Sequence, residues 1–404
     1  MSWDKVTFET LYAIPSKNGL TRPARVRGSG YKMINMGELF ANDKIGDINM
    51  ELVPMNDKEL QSMLVEEGDL LFARQSLVLS GAGKCSLVKS AKEPTTFESH
   101  IIRVRLRKDF ADPSFYYYYF KSPYSGIKSI VTQGVQAGIR GNDLKNLPIH
   151  VPPLSQQKAI AALLTNYDDL IENNRRRIQL LEESARVLYL EWFVHLRFPG
   201  HEHVEKVEGV PEGWKPTFLP DVVDVNPKES IPKDHEAWYV PMASLSETSM
   251  TADPKYFERR TKHTTVKFRR NDTLLARITP CLENGKTGFA YFLKEDEVAC
   301  GSTEFIVLRG NKVSAEFTYF LARSYPLRET AINSMTGSSG RQRVQVSCLN
   351  EYRVPLPPSH LLNEFDKVVR DNFVQIRLLM EQNTRLEQAR DLLLPRLMNG
   401  EIAV

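Results

Sequence analysis

The chain repeats itself, and a long-period repeat limits the possible folds more than any local pattern does, because one structural plan must serve both copies. Gly68-Asp69-Leu70-Leu71-Phe72-Ala73-Arg74 is answered about 203 positions later by Asn271-Asp272-Thr273-Leu274-Leu275-Ala276-Arg277. A Gly-Lys step follows each, Gly83-Lys84 and Gly285-Lys286. An aromatic block comes next, Phe115 to Phe120 against Phe317-Thr318-Tyr319-Phe320. Then come two glycine-rich loops, Gly134 to Arg140 and Gly337 to Arg343, and two proline pairs, Pro152-Pro153 and Pro357-Pro358. Each half closes on a long charged segment centred on Ala185-Arg186 or Ala389-Arg390. The openings agree loosely as well, Trp3 with Leu11 and Trp214 with Val222.

Local patterns give the coarse structure. Residues 1–150 mix short alternating runs such as Ile101 to Leu106 with turn signals such as Asn18-Gly19, which predicts a β-rich α+β domain. The Tyr116 to Tyr119 block reads as core with alternating burial rather than as a base-stacking platform. From Ser155 to about Leu196 there is no Gly or Pro, and apolar residues step by three and four through Leu164, Tyr167, Ile171, Asn174, Ile178, Leu181, Ala185, Leu188 and Trp192. That heptad pattern predicts a helix roughly 60 Å long. Leu362, Phe365, Val369, Asn372, Ile376, Leu379, Asn383 and Leu386 repeat it, with the helix expected to end near Pro395, which cannot continue one. Asn in both seams invites the two helices to pair, since a buried Asn fixes register; packing of each helix on its own domain is the alternative. Residues 199–213 read as a linker. The expected plan is a domain over 1–150, a helix over 151–198, a linker over 199–213, a second domain over 214–355 and a second helix over 356–404.

Composition excludes several classes. With 404 residues, 42% hydrophobic and 25% charged, the chain can build two or three globular domains. No stretch approaches 18 consecutive apolar residues, and the N-terminus lacks an apolar signal core, so a cytoplasmic location is expected. Cys85, Cys281, Cys300 and Cys348 are scattered, against a disulfide framework or a cysteine-rich zinc site. Net charge of +3 neither demands nor excludes nucleic acid. Val78 and Pro280 stand where a P-loop needs its first glycine. The adenine-methyltransferase step of Asn or Asp followed by Pro-Pro and an aromatic is absent: Asn226-Pro227 runs into Lys228. Asp221, Asp253 and Lys255 resemble a nuclease pattern only loosely and in one half only. His201-Glu202-His203 reads as a solvated pair in a charged linker rather than as metal ligands.

Reading DNA needs cations for phosphates and Arg, Lys, Asn or Gln for base edges. The glycine loops carry that composition: Gln133, Gln136 and Arg140 in one half, and Arg341, Gln342, Arg343 and Gln345 in the other. Arg74 with Gln75, and Arg277, sit at strand ends before the turns that hold Lys84 and Lys286. For Arg74 and Arg277 a base contact and a structural ion pair are equally open. Arg175-Arg176-Arg177, on a helix, must face in different directions.

The chain resembles the specificity (S, or HsdS) subunits of type I restriction-modification systems. The resemblance rests on Leu147 to Gln157, on Asn174 to Ile178 and Leu181 to Arg186, and on Glu191 to Val194 with Arg197 to His201. It also rests on Pro211-Glu212-Gly213-Trp214 and on Arg390 to Ile402. It is weak inside residues 1–150 and 215–350. It implies two target-recognition domains separated by two long helices in an antiparallel coiled coil with pseudo-two-fold repetition. The chain itself would be non-catalytic and read a split DNA target. It would dock methyltransferase (M) subunits, two per chain, that use S-adenosylmethionine, and restriction (R) subunits that use ATP and Mg. A scaffold that binds only proteins is the competing expectation.

Overall fold

A computed structural model describes residues 3–134, 136–338, 340–402 and 404. Val135 and Ser339 of the two glycine loops, with Met1, Ser2 and Ala403, lie outside them. The chain forms two compact units, Met1–Ile171 with Thr384–Val404, and Glu172–Asn383, so each unit takes part of both long helices.

The first unit is built on a sheet whose order is Tyr12–Asn18, Ile101–Leu106, Leu70–Ala73, Cys85–Val88 and Lys44–Ile45. All its pairings are antiparallel except the last. The second unit repeats its centre with Val223–Val225, Phe305–Gly310, Thr273–Ala276 and Thr287–Phe289, antiparallel throughout. The motif strands Leu70–Ala73 and Thr273–Ala276 are buried at every position because both faces of these sheets are covered. Gly68 and Asn271 precede them at φ +93° and +67°, a left-handed turn that glycine and asparagine tolerate best, which is why these two types alternate at one repeat position.

Each unit adds a second sheet. Glu51–Val53, Tyr31–Ile34 and Thr95–Phe97 form it in the first, and Glu258–Arg260, Ala237–Val240, Val298–Gly301 and Val266–Arg269 in the second. A four-residue ladder leads into each long helix, Asp4–Thr7 against Pro148–Val151 and Lys215–Phe218 against Arg353–Leu356. The opening match holds: Leu11 and Val222 are both fully buried.

The aromatic blocks correct the sequence reading. They are helices, Pro113–Lys121 and Ala315–Arg323, and all six rings from Phe115 to Phe120 are buried rather than alternating. Asp112 caps the first by accepting from Phe115 N at 2.8 Å, with Pro113 pre-set at the first helical position. Ser314 caps the second at 3.0 Å. All six rings of the first block can be enclosed because the helix lies between the sheet and the long-helix segments, as the shared core of Phe8, Phe72, Ile160 and Leu164 shows.

The long helices run Leu154–Tyr189, continued by a wide turn at Leu190–Val194, and Ser359–Met398. In each unit they are antiparallel. Asp168 meets Arg390 in the first; in the second, Asn174 meets Asn383 while Asn372 reaches Leu181 and Ser184. Both expected packings therefore coexist, because the same helix segments also pack on a sheet-bearing domain, as Tyr189 does on Phe317 and Phe320. Leu164, Ile171, Asn174, Ile178, Ala185, Phe365, Val369, Ile376, Leu379 and Asn383 are buried. Tyr167, Leu181, Leu188, Trp192, Leu362, Asn372 and Leu386 lie half-buried at the edge. Beyond Ala185 the deepest positions become Tyr189 and Phe193, since a helix of 3.6 residues per turn drifts from a seven-residue repeat.

Pro395 does not end the second helix, which continues to Met398. Proline removes one backbone donor, but it stands in the last turn, where Leu397 and Met398 are fully buried and hold the chain helical. Residues 199–213 form a short turn at His201–His203 and a two-residue hairpin, Lys206–Val207 with Val210–Pro211. No helix among the described residues is long and apolar enough to cross a membrane.

Candidate nucleic-acid interface

The same backbone scheme positions the candidate loop in both units. The chain leaves the motif strand at Arg74, whose N donates to His100 O at 2.8 Å and whose O accepts from Ile139 N at 2.9 Å. In the second unit Arg277 N donates to Glu304 O, and Arg277 O accepts from Val344 N, each at 2.9 Å. Gln75–Ser76 then pairs with Ala137–Gly138, which pairs with Thr132–Gln133. The counterpart is a set of bridges, Ile278 with Arg343 and Thr336 with Arg343. Gly138 and Arg343 are thus structural equivalents. A Cβ at Gly138 would stand 2.9 Å from Arg74 O, so the tighter first loop requires glycine where the second carries a side chain.

In the first unit Gln133, Gln136 and Arg140 are exposed, and Gln75 is half-buried opposite Gly138. Arg74 is half-buried, with Nη1 donating to Ser99 O at 3.4 Å. Lys84 donates to Phe40 O at 2.7 Å and lies 3.2 Å from Asp43. In the second unit Arg341 is exposed and Gln342 half-buried, its O accepting from Thr279 N. Arg343 is ion-paired with Glu304 at 2.7 Å, and that hydrogen bond pushes its guanidinium further up. Gln345 donates to Thr336 Oγ1. Arg277 donates to Val344 O at 3.3 Å and Lys286 to Met242 O at 3.4 Å. The fold gathers Gln75, Gln133, Gln136 and Arg140 on one loop system, and Arg277, Arg341, Gln342, Arg343 and Gln345 on the other. Lys84 and Lys286 play matching parts as backbone clamps, and Arg74 and Arg277 each brace a neighbouring carbonyl.

Sequence reasoning missed the buried charges at the start of the motif strands, at the end opposite the loops. Asp69, with no exposed side-chain surface, accepts from Arg105 Nε at 2.7 Å and Nη2 at 2.8 Å. Asp272 accepts from Arg309 Nε and Nη2, both at 2.7 Å. Each aspartate also takes the backbone N–H three residues before it, Glu66 N or Arg269 N. The aspartate was visible in the repeated motif; its arginine, on another strand, was not.

Two further acids tie a domain helix to a long helix. Burial raises the Asp168 carboxyl, but hydrogen bonds from Tyr118, Lys44 and Arg390 outweigh it and hold the group below the usual range. Glu182 accepts from Tyr319 OH at 2.6 Å, from Ser249 Oγ and from Met250 N. Burial, and then the Glu182 charge, push the Tyr319 hydroxyl well above its ordinary value.

The remaining candidates disperse. Asp253 caps a short turn by accepting from Lys255 N at 3.0 Å, and Asp221 is exposed. His201 and His203 flank Glu202 in an exposed turn. No group of three or more His, Cys, Asp or Glu among the described residues could hold a metal ion. Arg175, Arg176 and Arg177 are all exposed.

Comparison with known proteins supplies the identity. The type I restriction modification DNA specificity domain matches residues 5–183 and again 211–363. Over 375 residues the chain is 24% identical to the type I restriction enzyme MjaIX specificity subunit of Methanocaldococcus jannaschii, covering 87% of this chain and 83% of that one. A shorter match, 31% identical over 160 residues, covers 38% of this chain and 27% of the EcoEI specificity subunit of Escherichia coli. Among solved structures, the S subunit of a type I restriction-modification system from M. genitalium shares the fold. Its TM-score is 0.57 at 15% identity, covering 98% of this chain and 96% of that one. With the domain matched once in each half of a duplicated fold, the chain belongs to the type I restriction-modification DNA specificity family.

Proposed function

We infer that this chain reads a bipartite DNA sequence, one part with each recognition domain, and directs adenine-N6 methylation and restriction carried out by partner subunits. The observation that carries this reading is the duplicated loop scheme: in each unit hydrogen-bonding side chains stand on a loop tied by backbone hydrogen bonds to the end of the motif strand. Gln133, Gln136 and Arg140 would serve one half of the target; Arg341, Gln342 and Gln345 would serve the other. Arg140 and Arg341 suit phosphates or guanine edges, and the glutamines suit adenine edges. Arg343 reaches DNA only by leaving Glu304.

The chain acts in the cytoplasm as the recognition component and not as the catalyst. S-adenosylmethionine belongs to M subunits, two per chain, and ATP and Mg to R subunits. Residues 1–150 and 214–355 are the recognition domains and 151–198 and 356–404 the spacer helices, whose length sets the unspecific gap in the target. The deciding experiment is a genome-wide map of N6-methyladenine with and without the gene. A split motif that vanishes on deletion is expected. A purified complex with the methyltransferase subunit that binds no duplex, together with an unchanged map, would overturn the reading. Exchanging residues 1–150 for another member's domain should change one half of the motif only. Removing one heptad from both helices should change the gap.

A further inference from the structure

Leu77, Val78 and Leu79 are three consecutive aliphatic side chains that are 88%, 60% and 54% exposed. They follow the short strand Gln75–Ser76 directly. The strand ends at Ser76, which pairs with Ala137, and Ala137 pairs in turn with Gln133, so Leu77 turns away beside that ladder. The segment is held rather than loose. Val78 N donates to Ser76 Oγ at 3.2 Å, Gly81 N to Val78 O at 3.1 Å, and Lys84 N to Gly81 O at 3.2 Å. The turn between Arg277 and Gly285 in the second unit does the opposite with its leucine: Leu282 is fully buried.

We propose that Leu77-Val78-Leu79 is a wedge that enters a base step of the first half-target and unstacks it. This rests on the reading of the chain as a DNA-recognition subunit. The wedge is continuous with the exposed Gln133, Gln136 and Arg140, the side chains suited to base edges and phosphate. Residues 74–81 and 131–141 contain no Asp or Glu, so these two segments bring no carboxylate of their own against phosphate. A protruding trio is too small for a stable protein interface, which needs about 800 Å² from each partner. Aliphatic side chains inserted between base pairs unstack and kink DNA, and the bend admits contacts that straight DNA does not. The first half-target is therefore read partly through its deformability, with pyrimidine–purine steps favoured, and the second half-target is not.

The test uses the complex with its methyltransferase subunits and a duplex carrying the methylated motif. 2-Aminopurine is placed in turn at each step of the first half, away from the methylated adenine. A several-fold rise in fluorescence on binding is expected at one step. It should be lost in the Leu77→Ser, Val78→Ser, Leu79→Ser variant, with about tenfold weaker binding. A duplex with a mismatch at that step should bind variant and parent alike. Equal fluorescence and equal affinity in variant and parent would overturn the wedge alone. A variant that fails to assemble with the methyltransferase, while the parent gives no fluorescence change, would show the trio to be a protein contact and overturn it too. A parent complex that does not bind the duplex at all would overturn the recognition reading with it.

Discussion

In the first unit Asp69 holds both prongs of Arg105, and in the second Asp272 holds both prongs of Arg309, with distances that agree within 0.1 Å. A few residues away the likeness ends. The turn after the motif strand exposes Leu77 to Leu79 in the first unit and buries Leu282 in the second, and Gly138 packs against backbone where Arg343 reaches Glu304. The helix Asp57–Ser62 stands in the stretch of chain where the second unit has the strand Val266–Arg269. Burial explains the contrast. A desolvated ion pair is costly to break, so both copies keep it. A solvent-facing loop contributes little to stability, so it is free to diverge with the target it meets.

The comparison breaks most easily at its buried charges. Asp69→Ala and Asp272→Ala should each destabilise their own unit by about 1–3 kcal/mol, because a half-buried arginine loses its two-pronged partner and keeps only Glu66 or Glu229. Chemical denaturation followed by domain-specific probes would show it, and a large loss in one unit alone would end the equivalence. Similar in size is Asn174→Ala, which strips the partner from buried Asn383 and should cost about 1–3 kcal/mol in the second unit. An unchanged denaturation midpoint would mean that the asparagine pair sets register and adds nothing to stability.

The loops sharpen the comparison from the functional side. Arg140→Ala and Arg341→Ala should each weaken binding of the assembled complex by about 1–3 kcal/mol if the side chain reads a base, and relax one half-site only. If it meets phosphate, discrimination should stay intact while the salt slope falls by about one. Binding isotherms at several salt concentrations separate the two, and unchanged affinity for both variants would remove these loops from the interface.

The smallest effect near neutral pH is the acid response of the first unit. Asp168 is held below its ordinary range when folded, so its contribution is complete above the unfolded value of about 3.9. It is lost as pH falls through the folded value. Asp168→Asn should flatten the acid limb of the first unit's stability profile, and an unaltered limb would show that the Tyr118, Lys44 and Arg390 contacts do not couple to folding.

The sequence by itself determined what depends on order along the chain. Repeated motifs placed the two domains, an unbroken three-four stepping placed the helices, and the glycine loops carried recognisable hydrogen-bonding side chains. Only the tertiary structure decided what depends on proximity between distant strands. It chose Arg105 and Arg309 as the partners of the repeated aspartates, put Tyr189 and Phe193 deeper than Leu188 and Trp192, and carried the last helix past Pro395. It also closed Arg343 onto Glu304 and left Leu77 to Leu79 in solvent. A periodic pattern reports which residues share a face, whereas burial and pairing depend on what that face meets, and that is settled only when the chain packs.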